Sequence, residues 1–263
     1  MSLACSEREE QMFHTQGKWR CRMTFSALRA LYDKGRTEEV LQELAKIDLA
    51  SGQHPEHDDL VTLWGWCYYH RKDFDAAYAF AQAVGSHQWG RELLACIHAY
   101  VPKFTNDEAL QQIAAELGGE NARIANAFVI RARAKDCTLL THEEVAQTVA
   151  QHENKAEITV AHLFHNAARF FLEKSRGEDD LRQAVAHLDR ALVLYPTDSG
   201  LHHRAAATFW KSQAVERLEG KAAAVPLMQA CVELWQQQVN LDPTNAGFQK
   251  NLTSAGERLA ALQ

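Results

Sequence analysis

The sequence has no long apolar run, few prolines and no excess of basic residues. No stretch approaches the roughly 18 apolar residues that a membrane-spanning helix requires, so we expect no membrane segment. The formal net charge is −6 and the isoelectric point is near 6.1. This charge argues against nucleic acid as a partner, because phosphate binding needs clustered lysine and arginine. The 5 prolines and 13 glycines suit helices joined by short turns.

Cysteine pairs with metal-ligand or redox spacing are also missing. The six cysteines, at positions 5, 21, 67, 96, 137 and 231, form no C-x-x-C pair and no zinc spacing. Cys67 and Cys231 stand among apolar residues, so we expect small buried thiols. A reducing compartment follows from this use of cysteine.

No catalytic motif stands out from the sequence. There is no G-x-S-x-G, no P-loop, no H-E-x-x-H and no glycine-rich dinucleotide turn. The segment His142-Glu143-Glu144 lacks a second histidine four residues later. We therefore expect no enzymatic activity, no cofactor and no bound metal.

The first residues bear on the location of the protein. Residues 1–10 include four charged side chains, which is too many for a secretory signal. The protein is therefore expected in the cytoplasm. The first three residues resemble a cloning leader, which leaves open a signal or anchor that has been removed.

What the sequence does contain is a repeated apolar pattern, clearest in residues 181–196. Its apolar residues follow the stripe of one α-helix. An apolar residue, its neighbour at +1 and a third at +4 recur six times, and the first residues of these triplets are Val40, Ala77, Ala109, Val145, Ala184 and Cys231. These anchors lie 37, 32, 36, 39 and 47 residues apart. Such a period fits one helical hairpin, and hairpins must stack to bury their apolar stripes.

The repeats resemble the tetratricopeptide repeat family. In residues 184–196 the small residue Ala184, the later Ala191 and the closing Tyr195-Pro196 fall at the family's positions, and residues 231–243 end in the family's Asn-Leu-Asp-Pro. The segment from Trp64 adds the family's glycine in the first helix. The resemblance covers roughly residues 20–245 and implies an all-α fold, a right-handed α-solenoid of about six helix-turn-helix hairpins.

Three segments are expected along the chain. Residues 1–17 are expected to form an N-terminal capping helix, because Ser6 and Glu9 have the spacing of a capping box. The solenoid is expected over residues 18–243, with its first helix over Lys18–Asp33. A C-terminal capping helix is expected over residues 244–263, with Ala246–Leu262 as its helical part.

Several helix ends have their own sequence signals. Thr37, either Thr105 or Asn106, and the pair Thr141/Glu144 are expected to cap helices. The turn over Lys174–Asp180 carries about four residues more than the family pattern, close to one helical turn. A longer joint is expected around Gly220, with the next helix over residues 225–239.

Histidine is abundant in this sequence. The chain has 13 histidines, and three close pairs stand out: His54/His57, His162/His165 and His202/His203. The middle pair, three residues apart on a predicted helix, can lie on one face and bind a metal or respond to pH. Ordinary surface or interface histidines are the alternative.

The family resemblance also implies a binding surface. In tetratricopeptide proteins the first helices of successive hairpins line a concave groove. The matching partner-binding residues here are Arg22, Arg29, Trp66, Tyr69, His70, His165, Asn166 and Arg169. Aromatic and arginine side chains anchor protein interfaces. The alternative for Trp66 and Tyr69 is packing between hairpins.

One subclass of the family is not expected. Tetratricopeptide co-chaperones bind C-terminal carboxylates through lysine and asparagine in successive first helices. The matching positions of the first two hairpins hold Phe25, Arg29, Leu63 and Trp66. That clamp is therefore absent, and another acidic or amphipathic ligand stays open.

Two hypotheses about function follow from the sequence. The first is a non-enzymatic adaptor that binds a peptide or helix of a partner protein in the groove. The second is a sensory domain that binds a small molecule or metal through the histidine-bearing helices. Self-association through exposed repeat ends and aromatics such as Trp89 and Trp210 is a further possibility. Neither nucleic acid nor a membrane is expected as a partner.

Overall fold

The fold is all-α, as the sequence predicts. The computed structural model describes residues 23–85, 87–118, 120–135 and 137–263, and these residues contain thirteen α-helices and one short 3₁₀ helix but no β-strand. The predicted capping helix over residues 1–17 lies outside the described residues. The chain divides into two compact units, with the boundary between Leu94 and Ala95.

The helices are numbered in chain order. They are α1 Phe25–Asp33, α2 Thr37–Leu44, α3 His57–His70, α4 Phe74–Ala83, α5 Gln88–Tyr100, α6 Asp107–Leu117, α7 Ala122–Ala132, α8 His142–Ala150, α9 Ile158–Glu173, α10 Glu178–Leu194, α11 Leu201–Glu219, α12 Lys221–Leu241 and α13 Ala246–Leu262. The 3₁₀ helix is Pro102–Phe104. The boundary between the two units falls within α5.

The first unit is built around α3. This helix packs against α1, α2 and α4. The apolar core of the unit includes Leu28 of α1, Val40 and Leu44 of α2, and Leu60, Leu63 and Cys67 of α3. Because α3 has neighbours on several sides, its buried residues are not confined to one narrow stripe.

The second unit is a run of packed neighbours. Helix α9 packs against α7 and α10, α11 packs against α10 and α12, and α13 packs against α12. Buried residues cover most of the surface of α9, as expected for a helix enclosed by others. At the end of the chain, Ala255 and Leu262 of α13 join a cluster with Cys231 and Trp235 of α12. The predicted terminal helix, Ala246–Leu262, has the observed bounds.

The repeated triplet marks the core-facing stripe of alternate helices. All six anchors lie on even-numbered helices, α2 to α12. Their side chains are fully buried at Val40, Ala77, Val145, Ala184 and Cys231, and Ala109 is half-buried. The residue at +4 is buried in every copy. The interpretation of the spacing as one helical stripe is therefore confirmed.

Two of the predicted helix caps are present. The Thr141 hydroxyl accepts a hydrogen bond from the backbone N–H of Glu144, whose carboxylate accepts one from the backbone N–H of Thr141. The Asn106 side chain accepts a hydrogen bond from the backbone N–H of Ala109 at 3.0 Å. Thr37 is the first residue of α2 and makes no cap bond, because Arg36 occupies the cap position.

Several predicted helix boundaries are wrong. Helix α1 begins at Phe25, after Thr24, whose hydroxyl accepts from the N–H of Ala27. Helix α10 begins at Glu178, so part of the predicted long turn is helical; acidic residues at this end interact favourably with the helix dipole.

The predicted long joint around Gly220 is a single residue. Helix α11 ends at Glu219 and α12 begins at Lys221. Gly220 links them with φ +93°, a conformation that glycine adopts without strain. Three alanines follow Lys221, and their high helix propensity starts α12 before Pro226.

We predict opposite effects for the same substitution at two helical glycines. A Cβ at Gly65 would lie 2.7 Å from Leu93 Cδ2 and 3.0 Å from Phe80 Cβ, whereas a Cβ at Gly256 meets nothing within 4 Å. Gly256→Ala should raise the free energy of unfolding by up to about 1 kcal/mol through helix propensity. Gly65→Ala should lower it by about 1 kcal/mol, because overpacking exceeds that gain. Urea unfolding followed by circular dichroism measures both, and a stabilised Gly65→Ala would contradict the close packing of α3.

Candidate functional site

The residues predicted to bind a partner fall in both units. Arg22 lies outside the described residues. The first unit contains Arg29 on α1 and a group of three on α3, and the second unit contains a group of three on α9.

Arg29 is held by an acidic residue and an aromatic ring. Its Nε donates to Asp33 Oδ1 at 2.9 Å, one helical turn along α1. Its guanidinium carbon lies 4.2 Å from the ring centroid of Trp89 and 5.5 Å from that of Tyr32. About a third of the side chain is exposed, 32%. The guanidinium is therefore positioned by cation–π and ionic contacts while one side faces solvent.

Trp66 lies beneath this arrangement. Its side chain is buried, with 3% of the residue exposed. Its ring stacks on that of Trp89, with the ring centroids 6.3 Å apart, and contacts Tyr69 edge to face, with the centroids 5.6 Å apart. Of the three residues predicted on α3, Tyr69 is half-buried and His70 is exposed. Trp66 thus supports the surface from below, which matches the alternative of packing between helices.

His70 connects α3 to α1. Its Nε2 lies 2.7 Å from the hydroxyl of Tyr32, and the two ring centroids are 5.4 Å apart. Trp89, the side chains that contact it and the neighbours Tyr69 and His70 form one connected group. We call this group the aromatic patch; it consists of Phe25, Arg29, Tyr32, Trp66, Tyr69, His70 and Trp89. The family positions did not identify Phe25, Tyr32 or Trp89 as members.

In the second unit, one carboxylate is shared by two arginines. Arg133, directly after α7, donates to both oxygens of Glu173, from Nε at 3.0 Å and from Nη2 at 2.8 Å. Arg169 donates to Glu173 Oε1 from Nε and Nη2, at 3.2 and 2.9 Å. The exposed fractions of the three side chains are 13% for Arg133, 27% for Arg169 and 31% for Glu173.

Asn166 extends this network. Its Oδ1 accepts from Arg133 Nη1 at 3.0 Å, and its Nδ2 donates to Asn126 Oδ1 at 3.0 Å. Two residues from the predicted group, Asn166 and Arg169, therefore join the same network through Arg133. We name it the polar strip, formed by Asn126, Arg133, Asn166, Arg169, Glu173 and Trp210.

Trp210 completes the polar strip from α11. The guanidinium carbon of Arg169 lies 4.2 Å from the ring centroid of Trp210. The arrangement repeats that of the first unit, where Arg29 pairs with an acid four residues later and lies over Trp89. Arg133 is the addition in the second unit.

The ionisation of the strip follows from these contacts. Burial opposes ionisation of Glu173, but the hydrogen bonds and charges of Arg133 and Arg169 outweigh it and lower its pKa. Burial lowers the pKa of Arg169, and the positive charge of Arg133 lowers it further, against the opposing effect of Glu173. One negative charge thus faces two positive charges in a partly desolvated place.

A cluster of histidines lies next to Tyr195, whose side chain is buried at the end of α10. The Nδ1 atoms of His162 and His165 lie 3.0 and 3.3 Å from its hydroxyl oxygen. Because a hydroxyl has one proton, at least one of these two imidazoles carries a proton on Nδ1 and donates it. The ring of His203 stacks on that of Tyr195, with the ring centroids 5.1 Å apart, and the ring centroids of His202 and His203 are 3.8 Å apart.

Three histidines of the second unit are held neutral. Burial lowers the pKa of His165 to about 3, with smaller contributions from the positive charges of His162, Arg169 and Arg133. Burial alone lowers the pKa of His187 and of His202, each to about 4. Two of the three, His165 and His202, belong to close histidine pairs in the sequence.

None of the described residues forms a metal site from three or more histidines, cysteines or acids. In the His54/His57 pair, His54 Nδ1 accepts from the backbone N–H of Glu56, and His57 Nε2 lies 3.1 Å from the carbonyl oxygen of Leu49. Both imidazoles are thus used in local hydrogen bonds.

The thiols are buried, as predicted for Cys67 and Cys231. Both residues have no exposed surface. Burial raises the pKa of each thiol to about 12, so neither is a thiolate near neutral pH. Among the described residues, no helix carries an apolar stretch long enough to cross a membrane.

The sequence was compared with models of protein families and with curated proteins. No protein-family model matches it, and no curated protein matches it either. The resemblance to tetratricopeptide repeats therefore depends on the residues described above.

We predict that Trp66 acts through stability. Trp66→Ala should lower the free energy of unfolding by about 3 kcal/mol or more, because it removes a large buried ring. The matched change His70→Ala, at an exposed neighbour, should cost about 1 kcal/mol or less. Urea unfolding of the two variants tests this difference. Equal losses would place Trp66 outside the core.

We predict that acid destabilises the second unit. His165, His187 and His202 have folded pKa values below their unfolded value, so their contribution to stability is present above about pH 6.5 and is lost as the pH falls towards 4. The loss is at most about 1.4 kcal/mol per pH unit for each histidine. His187→Phe should reduce this slope between pH 6.5 and 5.0 in urea titrations. An unchanged slope would mean that His187 is protonated in the folded state.

Proposed function

We propose that the protein is a non-enzymatic scaffold that binds a segment of a partner protein. Its helices would pair into about six hairpins of the tetratricopeptide type, in a right-handed α-solenoid. The observation that carries this proposal is the repeated triplet: its first and fifth positions lie on every even-numbered helix and face the core. The odd-numbered helices are packed as well, and the side chains that they leave partly exposed, such as Arg29 and Arg169, would present the binding surface.

The odd-numbered helices carry the residue types of protein interfaces. In the first unit, α1, α3 and α5 supply the aromatic patch. In the second unit, α9 and α11 supply Arg169 and Trp210 of the polar strip. Arginine, tryptophan and tyrosine dominate the binding energy of protein interfaces. Both surfaces are held in shape by contacts within the protein, which lowers the entropy that binding costs.

The chemistry of both surfaces favours binding over catalysis. A general acid or base needs a pKa near the working pH and a free position beside substrate. Glu173 is ionised between two arginines, and His165 is neutral beside Tyr195. Both groups are thus engaged by neighbouring side chains of the protein, which supports a scaffold without a cofactor. The net charge of −6 supports a protein partner over nucleic acid or a membrane.

A sensory domain is the second candidate. The observation that favours it is the cluster of Tyr195 with three histidines, and with His202 beside His203, which joins α9, the end of α10 and α11. A small ligand with hydrogen-bonding groups would compete for these imidazoles. Equilibrium dialysis against zinc, nickel and copper tests the metal form of this hypothesis, and no uptake would remove it.

The test of the scaffold is capture from a lysate of the source organism. The intact protein is compared with Tyr69→Ala/His70→Ala, which trims the aromatic patch, and with Arg169→Ala, which opens the polar strip. Arg182→Ala is the matched control, because this arginine is 60% exposed on α10 and pairs with Glu178 and Asp179 of the first turn of the same helix. All variants are first checked by circular dichroism and melting.

We expect a protein that the intact chain and the control retain and that at least one surface variant loses. The loss should be tenfold or more if a central anchor is removed. Identical captures by all four proteins would contradict the two surfaces. Retention of further copies of the chain alone would favour self-association instead.

A further inference from the structure

The polar strip has an unbalanced charge. In the first unit one arginine faces one acid, Arg29 with Asp33. In the second unit two arginines share the carboxylate of Glu173. Neither His165, which is neutral, nor Asn166 supplies another negative charge. The strip therefore keeps about one positive charge in a partly buried place, where charge interactions are stronger than in water.

The hydrogen-bond donors of the strip are also in excess. Arg133 uses Nε and Nη2 on Glu173 and Nη1 on Asn166. Arg169 uses Nε and Nη2 on Glu173, and its Nη1 donates to no atom within the described part of the chain. The face of this guanidinium is covered by Trp210. Its remaining N–H edge is thus held in a fixed direction by a ring and a carboxylate.

From the shared carboxylate and the open edge of Arg169, we infer that the polar strip binds an acidic side chain, aspartate or glutamate, from an internal segment of the partner. This inference rests on the proposed function, because it names the chemistry that the scaffold recognises. A carboxylate carries one negative charge, which matches the unbalanced charge of the strip. A phosphate dianion beside Glu173 would overcompensate it. Planar guanidinium groups also match the planar geometry of a carboxylate.

Glu173 has a second part in this inference. Its carboxylate occupies the donors of both arginines in the free protein, so an incoming acid must share or displace it. The carboxylate of Glu173 therefore competes with the incoming acid for the same arginine N–H groups. Removing its charge should strengthen binding, whereas removing Arg169 should weaken it.

The test uses the full chain and a defined probe. The probe is a short peptide of alternating glycine and glutamate, blocked at both ends so that it has no terminal carboxylate. Its glutamine counterpart and inorganic phosphate are the comparison ligands. Binding is measured by calorimetry and by the arginine Nε–H signals in nuclear magnetic resonance spectra. The proteins are the wild type, Glu173→Gln, Arg169→Gln and the control Arg182→Gln, each checked for melting temperature.

We expect the glutamate peptide to shift the signals of Arg133 and Arg169. Glu173→Gln should bind it about tenfold more tightly than the wild type, and Arg169→Gln about tenfold more weakly. Arg182→Gln should match the wild type. Glu173→Gln keeps the size and hydrogen-bonding ability of the side chain, so a folded variant is expected even where Arg169→Gln is less stable.

Three results would overturn the inference: equal binding of the glutamine peptide, no gain in Glu173→Gln, or binding of phosphate alone. The scaffold proposal fails separately. If capture from lysate depends on Arg169 while no glutamate peptide binds, the scaffold stands and the acidic partner is wrong. If the peptide binds as expected but no protein is captured, the anion site stands and the scaffold proposal loses its support.

Discussion

The structure depends on burying a small apolar stripe along each even-numbered helix. Several of these helices are short; α2 has 8 residues and α8 has 9. Isolated helices of this length are not stable in water, because too few hydrogen bonds offset nucleation. Val40 and Val145 are fully buried on them, so packing against neighbours supplies what local propensity lacks.

When the apolar stripes are buried, polar side chains near the packed helices become partly buried and need hydrogen-bond or ionic partners. Both units solve this with an arginine that binds an acid one turn later and lies over a tryptophan ring, Arg29 with Trp89 and Arg169 with Trp210. A guanidinium keeps its charge in such places and presents its N–H edge in a fixed direction. The second unit adds Arg133, and the added charge changes a structural contact into a candidate anion site.

The histidines illustrate a different balance. Around Tyr195 they lie among aromatic rings and arginines, and burial keeps His165 neutral. Neutral imidazoles donate and accept in one network and so rigidify the junction of α9, α10 and α11. The same burial makes the junction sensitive to acid, because protonation would add charge beside Arg169 and Arg133. The rigidity of this junction and its predicted acid sensitivity therefore both follow from burial of the imidazoles.

The sequence by itself determined the fold class, the position of the stripe on six helices and several helix ends, including the Thr141 cap and the helix Ala246–Leu262. These features are local, since they depend on residues three or four apart. The resemblance to tetratricopeptide repeats also indicated Asn166 and Arg169 as candidate binding residues. The sequence did not identify their partner Arg133, and it left the burial of Trp66 as one of two alternatives. These depend on contacts between residues far apart in the chain, such as Arg133 and Glu173, 40 positions apart. Only the packing of helices brings such groups together, and that packing decides which charges are shared and which histidines stay neutral.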